Sequence, residues 1–324
     1  MRKVVILGTG GTIAGTGSDP ARSWHYVAAQ RDVGELLAAV PELAAEALEW
    51  MQVAQIDSKD MRWAVWQALA AALDQALART DVAGVVVTHG TDTLEETAWL
   101  LQALHDGRKP VVLTAAMRPA TAPDADGPAN LRDAVRVARA AAEDGLGGVV
   151  AVLGGRVWPG AAVRKVHTLA VDAFNGGEVA PLADLRENGM PCGAEGWSRP
   201  WPPCDGMGWS RMSVAEPPRV EVITSHADAD GWVVDALCAH GTPQSPLRGL
   251  IVAGTGHGTV HEALEAALRR AEAQGVAVWR STRVAKGGVM AREGDRWPAC
   301  GPLTPAQARV ALVLALLQKQ RPAE

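Results

Sequence analysis

Two threonines set the chemistry this sequence can support. Thr12 stands in Gly8-Thr9-Gly10-Gly11-Thr12-Ile13-Ala14, and Thr91 in His89-Gly90-Thr91-Asp92-Thr93. Each follows a short apolar run, residues 4–7 and 84–88, of the kind that forms a buried strand. A hydroxyl directly after Gly10-Gly11 sits where backbone amides are bare, and it becomes a nucleophile only if a neighbouring base takes its proton. Thr93 and Glu96 fit a T-x-x-E capping box, which predicts a helix starting at Thr93. Thr91 and Asp92 then lie just ahead of a helix N-terminus, where the dipole and free amides favour an oxyanion or a substrate carboxylate. Further turns add Asp57-Ser58-Lys59-Asp60, Ala115-Ala116-Met117-Arg118-Pro119 and Asp124-Ala125-Asp126-Gly127-Pro128. Small hydroxyls, carboxylates and glycines together describe a hydrogen-bonding pocket, not a greasy one.

Other chemistries fit less well. The dinucleotide pattern G-x-G-x-x-G fails because Ile13 takes the third glycine position, and Gly254-Thr255-Gly256 fails with Thr259 there. Gly15-Thr16 lacks the lysine of a phosphate loop. His257 and His261 are four apart but have no third ligand nearby, so no metal and no cofactor is expected.

The elements that must position these turns alternate along the chain. Strands are predicted at residues 4–7, 52–56, 84–88, 111–114 and 148–153. Helices are predicted at 33–48 (interrupted near Pro41), 60–78, 94–104 and 131–142. Strands without polar alternation, separated by helices, imply a parallel sheet with helices on both faces, and ligands bind beyond the carboxyl ends of its strands. Residues 154–186 lose the helical period and suggest a hairpin or irregular strands. Residues 187–218, around Pro200-Trp201-Pro202-Pro203, read as a linker whose tryptophans pack on something. The alternation restarts with strands at 220–224, 249–253 and 276–280 and helices at 261–273 and 304–318. The expected α/β architecture is therefore a larger N-terminal domain (1–186), a linker (187–218) and a smaller C-terminal domain (219–324).

Composition agrees with this picture. The 324 residues exceed one ordinary domain, and 48% of them are hydrophobic, enough for two cores. The net charge of −5 argues against a nucleic-acid surface. No apolar run approaches the roughly 20 residues of a membrane span, and the run at residues 4–7 is too short for a signal peptide. Cys192, Cys204, Cys238 and Cys300 form no C-x-x-C pair and read as reduced thiols of a cytoplasmic protein.

Thr9-Gly10-Gly11-Thr12-Ile13-Ala14 followed by Thr88-His89-Gly90-Thr91-Asp92-Thr93 resembles the bacterial L-asparaginases and glutaminase-asparaginases. The chain also matches that family at Ser58-Lys59-Asp60-Met61, Ala116-Met117-Arg118-Pro119, Asp126-Gly127-Pro128 and Ser281-Thr282-Arg283-Val284. The resemblance spans essentially the whole chain and is weakest across 187–218. It implies hydrolysis of L-asparagine, a small-molecule amino-acid substrate, through an acyl-enzyme on Thr12. It implies that Thr91 works with Asp92 and Lys165, the lysine of Val163-Arg164-Lys165-Val166, and that Tyr26 supports Thr12 from a mobile loop, residues 14–29. Ser58 and Asp92 would grip the substrate's charged ends, with Gly11, Asp60, Ala116 and His257 lining the same pocket. A homotetramer built of intimate dimers, with sites at subunit boundaries, is implied as well.

Departures from the family concern substrate preference. The loop tyrosine follows His25 where the family usually has Asn, and the C-terminal segment reads Gly256-His257-Gly258 in place of Gly-Asn-Gly or similar. By alignment His257 would reach the neighbouring subunit's site. The acid that periplasmic members lend that site has only Glu293 as a weak candidate. Three alternatives stay open. A dual glutaminase-asparaginase is nearest. A transamidosome-type subunit would normally carry an extra N-terminal domain, and only three residues precede the first strand here. A non-catalytic amino-acid sensor would have no need of Thr12.

Overall fold

The computed structural model describes residues 2–17, 25–242 and 245–319. The chain divides into two compact units, Met1–Ser213 and Val214–Glu324.

The first unit is built on β1 (Lys3–Gly10), α1 (Val33–Ala38), β2 (Leu48–Ile56), α2 (Trp63–Ala78), β3 (Val82–Thr88), α3 (Leu94–Leu104), β4 (Pro110–Thr114), α4 (Gly127–Glu143) and β5 (Gly148–Leu153). Every residue of β3, β4 and β5 is buried, as strands covered on both faces must be. Alternate side chains serve two cores. Val4, Ile6, Val86, Val112 and Val150 meet Leu131, Ala134 and Ala138 of α4 and Val33 and Leu36 of α1 on one face. Val5, Leu7, Val85, Leu113 and Ala151 meet Leu69 and Leu73 of α2 and Leu101 of α3 on the other. With β6 (Arg156–Pro159) and β9 (Ala183–Asp184) added, the strand order is β2-β1-β3-β4-β5-β6-β9, parallel from β2 through β5. The connections leave β1 to one side and β3 to the other. Their carboxyl ends therefore form a topological switch point, where an open α/β sheet leaves a crevice.

The sheet is parallel through β5 and turns antiparallel in the stretch read as a hairpin or irregular strands. Gly154 and Gly155, both at positive φ, turn the chain through a two-residue hairpin into β6 (Arg156–Pro159), antiparallel to β5. β7 (Arg164–Lys165) and β8 (Phe174–Asn175) pair as a separate antiparallel ribbon, and β9 (Ala183–Asp184) adds antiparallel to β6.

The stretch expected as a linker divides at residue 213, and its first part belongs to the N-terminal unit. Trp197 and Trp201 pack edge to face, with ring centroids 5.2 Å apart, inside the core beneath α4. Met207 N–H and Gly208 N–H donate to the carbonyls of Ala103 and Leu104 at 2.9 and 3.0 Å, satisfying the bare C-terminal turn of α3.

The second unit is a parallel sheet of β10 (Arg219–Thr224), β11 (Leu247–Gly254) and β12 (Ala277–Thr282) with α5 (Trp232–Ala239), α6 (Glu262–Ala273) and α7 (Pro305–Lys319). Leu250 and Val252 face Leu264, Ala267 and Leu268 of α6. Thr304 caps α7: its hydroxyl accepts the Gln307 N–H at 3.2 Å, and Gln307 Oε1 accepts the Thr304 N–H at 3.1 Å.

Candidate active site

The turns after β1 and β3 meet because glycine removes the side chains between them. Gly11 has φ +84°, and a methyl there would collide with the backbone of Gly90. A methyl at Gly90 would in turn collide with the Ser58 hydroxyl. Three turns thus close on one another at the switch point, bringing Thr12, Thr91 and Ser58 together. All three are buried. Gly11→Ala is expected to cost about 2 kcal/mol or more, because both the positive φ and the close approach are lost. A melting temperature and activity equal to the parent's would show that the turn yields.

Thr12 lies in a 3₁₀ turn, and its hydroxyl is 2.6 Å from the hydroxyl of half-buried Tyr26. Burial raises the Tyr26 phenol above its usual pKa; the Thr12 hydrogen bond opposes this and the carboxylates of Asp57 and Asp92 add to it. Tyr26 is therefore a neutral phenol at working pH. It orients the Thr12 hydroxyl and is a poor base.

Across the junction, Lys165 Nζ donates to Thr91 Oγ1 at 2.9 Å and to Asp92 Oδ1 at 2.7 Å. The Asp92 N–H donates to Ser58 Oγ at 3.1 Å. Thr93 caps α3 in position only. Its hydroxyl donates to Ser58 O at 2.8 Å, so the predicted capping box with Glu96 is not made. The hydroxyl ties the β3 turn to the Ser58 turn instead. A cleft of about 530 Å³ opens beside this group, lined by Asp92, Glu95 and Lys165 through Thr168.

Two buried networks fix these turns, and neither was visible in the sequence. His89 is fully buried, with Nδ1 2.7 Å from Gly90 O. A carbonyl only accepts, so Nδ1 carries the proton and Nε2 accepts from the Thr97 hydroxyl at 2.9 Å. Thr97 in turn accepts from Trp66 Nε1 at 2.8 Å. Desolvation lowers the His89 pKa to about 4, which keeps the ring neutral. The second network centres on Asp126, whose carboxylate accepts from Met117 N at 3.0 Å, Arg118 N at 2.9 Å and Asn130 Nδ2 at 3.1 Å. It clamps the turn that carries buried Ala116.

One expected pocket residue does not join this group. Asp60 pairs with Lys59 at 2.8 Å with its side chain 63% exposed. His257 belongs to the second unit, where its Nε2 accepts the Met290 N–H at 3.0 Å and its Nδ1 lies 2.9 Å from Arg292 Nη2. His261, its partner in the four-residue spacing, caps α6 by accepting the Ala263 N–H at 3.3 Å. His25 and Glu293 are exposed, and residues 18–24 of the expected lid lie outside the described residues.

Residues 3–194 match the family model described as Asparaginase, N-terminal, and residues 219–324 match the Glutaminase/Asparaginase C-terminal domain. The chain belongs to the asparaginase family. Among its asparaginase-family relatives, L-asparaginase 2 of Bacillus subtilis is 34% identical over 98% of this chain and 83% of that protein. L-asparaginase 2 of Escherichia coli is 36% identical over 98% and 90%, and the glutaminase-asparaginase of Pseudomonas fluorescens 34% identical over 99% and 88%. The crystal structure of a probable cytoplasmic L-asparaginase from Campylobacter jejuni superposes with a TM-score of 0.87 at 33% identity, covering 98% of this chain and 95% of that one.

Proposed function

We propose that this chain hydrolyses the side-chain amide of L-asparagine to L-aspartate and ammonia through an acyl-enzyme on Thr12. The observation that carries the reading is the switch-point junction. One hydroxyl is oriented by Tyr26, and beside it a second is bonded to a lysine that is itself held by a carboxylate. Family membership and the activities of the relatives support the substrate.

Thr12 Oγ attacks the amide carbon and its proton leaves toward Lys165 by way of Thr91. This requires the lysine as a neutral amine at that instant. The carbonyl oxygen gains negative charge, which free backbone N–H groups in the turns around Gly11 and Thr91 would stabilise; the Gly11 N–H itself is taken by Ile56 O at 2.8 Å. Return of the proton to the amide nitrogen lets ammonia leave. Water then attacks the ester, and aspartate and the free Thr12 hydroxyl are regenerated. The route calls on no metal or cofactor. Ser58 and Asp92 are assigned to the substrate's carboxylate and ammonium, with Gly11 and Ala116 at the pocket wall. We keep Asp60 at the rim and assign His257 to the neighbouring subunit's site. The intramolecular bonds of His257 support a role in holding residues 290–292 more than a direct bond to substrate.

Ammonia release from asparagine and from glutamine, measured side by side, tests the function, and release from neither would sink it. Dual activity is the second reading, favoured by the glutaminase-asparaginase among the relatives. We further propose a cytoplasmic enzyme, supported by four free cysteines and by the likeness to the probable cytoplasmic L-asparaginase of Campylobacter jejuni. No helix among the described residues is long and apolar enough to cross a membrane.

We propose the N-terminal unit through residue 213, which takes in most of the expected 187–218 linker, as the catalytic domain and residues 219–324 as an accessory domain, assembled as a tetramer of two intimate dimers. If sites are shared between subunits, dilution that dissociates the particle should abolish turnover while the monomers stay folded. Light scattering with a parallel assay reads this, and a fully active monomer would contradict it.

A further inference from the structure

Lys165 sits on a short ribbon whose flanking Val163 and facing Phe174 are buried in the core. β7 is two residues long and pairs only with the equally short β8. Val166 N–H donates to Ala173 O at 2.7 Å. Backbone groups alternate along an antiparallel pair, so the N–H of Lys165 points away from β8. There it meets α3: Glu95 Oε2, in the first turn of that helix, accepts the Lys165 N–H at 3.0 Å.

The same stretch, 92–95, therefore holds the lysine at both ends. Asp92 Oδ1 takes Nζ at 2.7 Å, and Glu95 takes the backbone. A lysine side chain has four rotatable bonds and loses about 2 kcal/mol of rotamer entropy when ordered. Fixing its root as well as its tip removes the remaining freedom of the nitrogen that must meet Thr91. Both holding groups come from one helix start, so the distance from Nζ to Thr91 Oγ1 is set by α3 as well as by the ribbon.

We propose that Glu95 is a positioning residue for the reaction, anchoring the backbone of Lys165 so that its amine stays on Thr91. The proposal rests on the role assigned to Lys165 above. It separates reach from charge. Glutamine has the length of glutamate and keeps an oxygen that can accept an N–H. Aspartate keeps the charge but is one methylene too short.

The test is steady-state kinetics with asparagine on Glu95→Gln, Glu95→Asp and Glu95→Ala, with Lys165→Ala alongside. Positioning predicts that the Asp and Ala variants lose about tenfold or more in kcat, since small misplacements of a catalytic group are that costly. KM should change by less than about threefold, because substrate binding is not what Glu95 serves. Glu95→Gln should keep kcat within about threefold of the parent. A Gln variant as slow as Ala, or an Asp variant as fast as Gln, would show that charge acts here and would overturn the proposal. Parental kcat in all three would overturn it as well. If Glu95→Ala fails to fold, the Gln–Asp contrast decides. An active Lys165→Ala protein would instead refute the role of the lysine, an outcome distinct from failure of Glu95.

Discussion

Thr12→Ala is expected to fold like the parent and to lose turnover by on the order of 10³-fold or more. The fold should survive because the side chain is small, and its one hydrogen bond is to the hydroxyl of a half-buried tyrosine that can turn to water. The turn itself is set by Gly10 and Gly11 at positive φ and by their fit against the neighbouring turns, none of which the substitution touches. Activity should not survive, because no other hydroxyl occupies that place. Thr91 is bonded to Lys165 and follows a residue pinned through the His89 chain. Thr12→Ser should keep measurable activity, since the oxygen remains, and should fall short of the parent because serine explores more rotamers than a β-branched side chain. Ammonia release from asparagine, read with circular dichroism of the same samples, checks this. More than a tenth of parental activity in the alanine protein would remove Thr12 from the nucleophile's role.

The fold was legible where periodicity and burial coincide. The strands at 84–88, 111–114 and 148–153 and the helix at 94–104 are unbroken apolar or amphipathic runs, and the structure places all of them. It failed where local signals compete. Residues 44–48 continue a helical pattern, yet α1 ends at Ala38 and β2 begins at Leu48. Pro41 cannot continue a helix, and the edge of the sheet offers the chain a partner in β1. α5 is eight residues long and opens Trp232-Val233-Val234, too short and too β-branched for its helical period to stand out. The antiparallel return through β6 falls in the stretch read as a hairpin or irregular strands, where a two-residue glycine turn gives no sign of the register.

The site was legible through its loops and illegible through its supports. Thr12, Thr91, Asp92 and Ser58 announce themselves as polar residues at strand ends, and glycine approach makes their meeting possible. Lys165 and Tyr26 were reached only through family resemblance, since a lone lysine on a short strand and a single tyrosine carry no spacing signal. Glu95 was invisible for a further reason: its partner is a backbone N–H seventy residues away. His89 looked like part of the polar turn but serves from the core, its ring desolvated and its proton placed by the Gly90 carbonyl. Asp60 fits the motif and nonetheless spends its charge on its neighbour Lys59 at the surface.

Lys165→Arg is expected to be nearly as inactive as Lys165→Ala, with both at least about a hundredfold below the parent. The two substitutions separate the roles a lysine can play here. Nζ lies within hydrogen-bond distance of Thr91 Oγ1 and Asp92 Oδ1 at once, an arrangement that serves either a fixed positive charge or a proton carrier. Arginine preserves the charge, and its planar fork of N–H groups can span the two oxygens. It stays protonated at any working pH and has no lone pair to accept a proton from Thr91. Asp92 is half exposed, so the ion pair itself contributes little to folding, and loss of stability will not disguise the result. If the lysine only steadies charge, arginine should restore a substantial fraction of turnover while alanine does not. The proton would then have to leave Thr12 by another route, and Tyr26, whose phenol is held above its usual pKa, is poorly suited to take it. Rates for both variants, measured with asparagine well above KM, distinguish the outcomes.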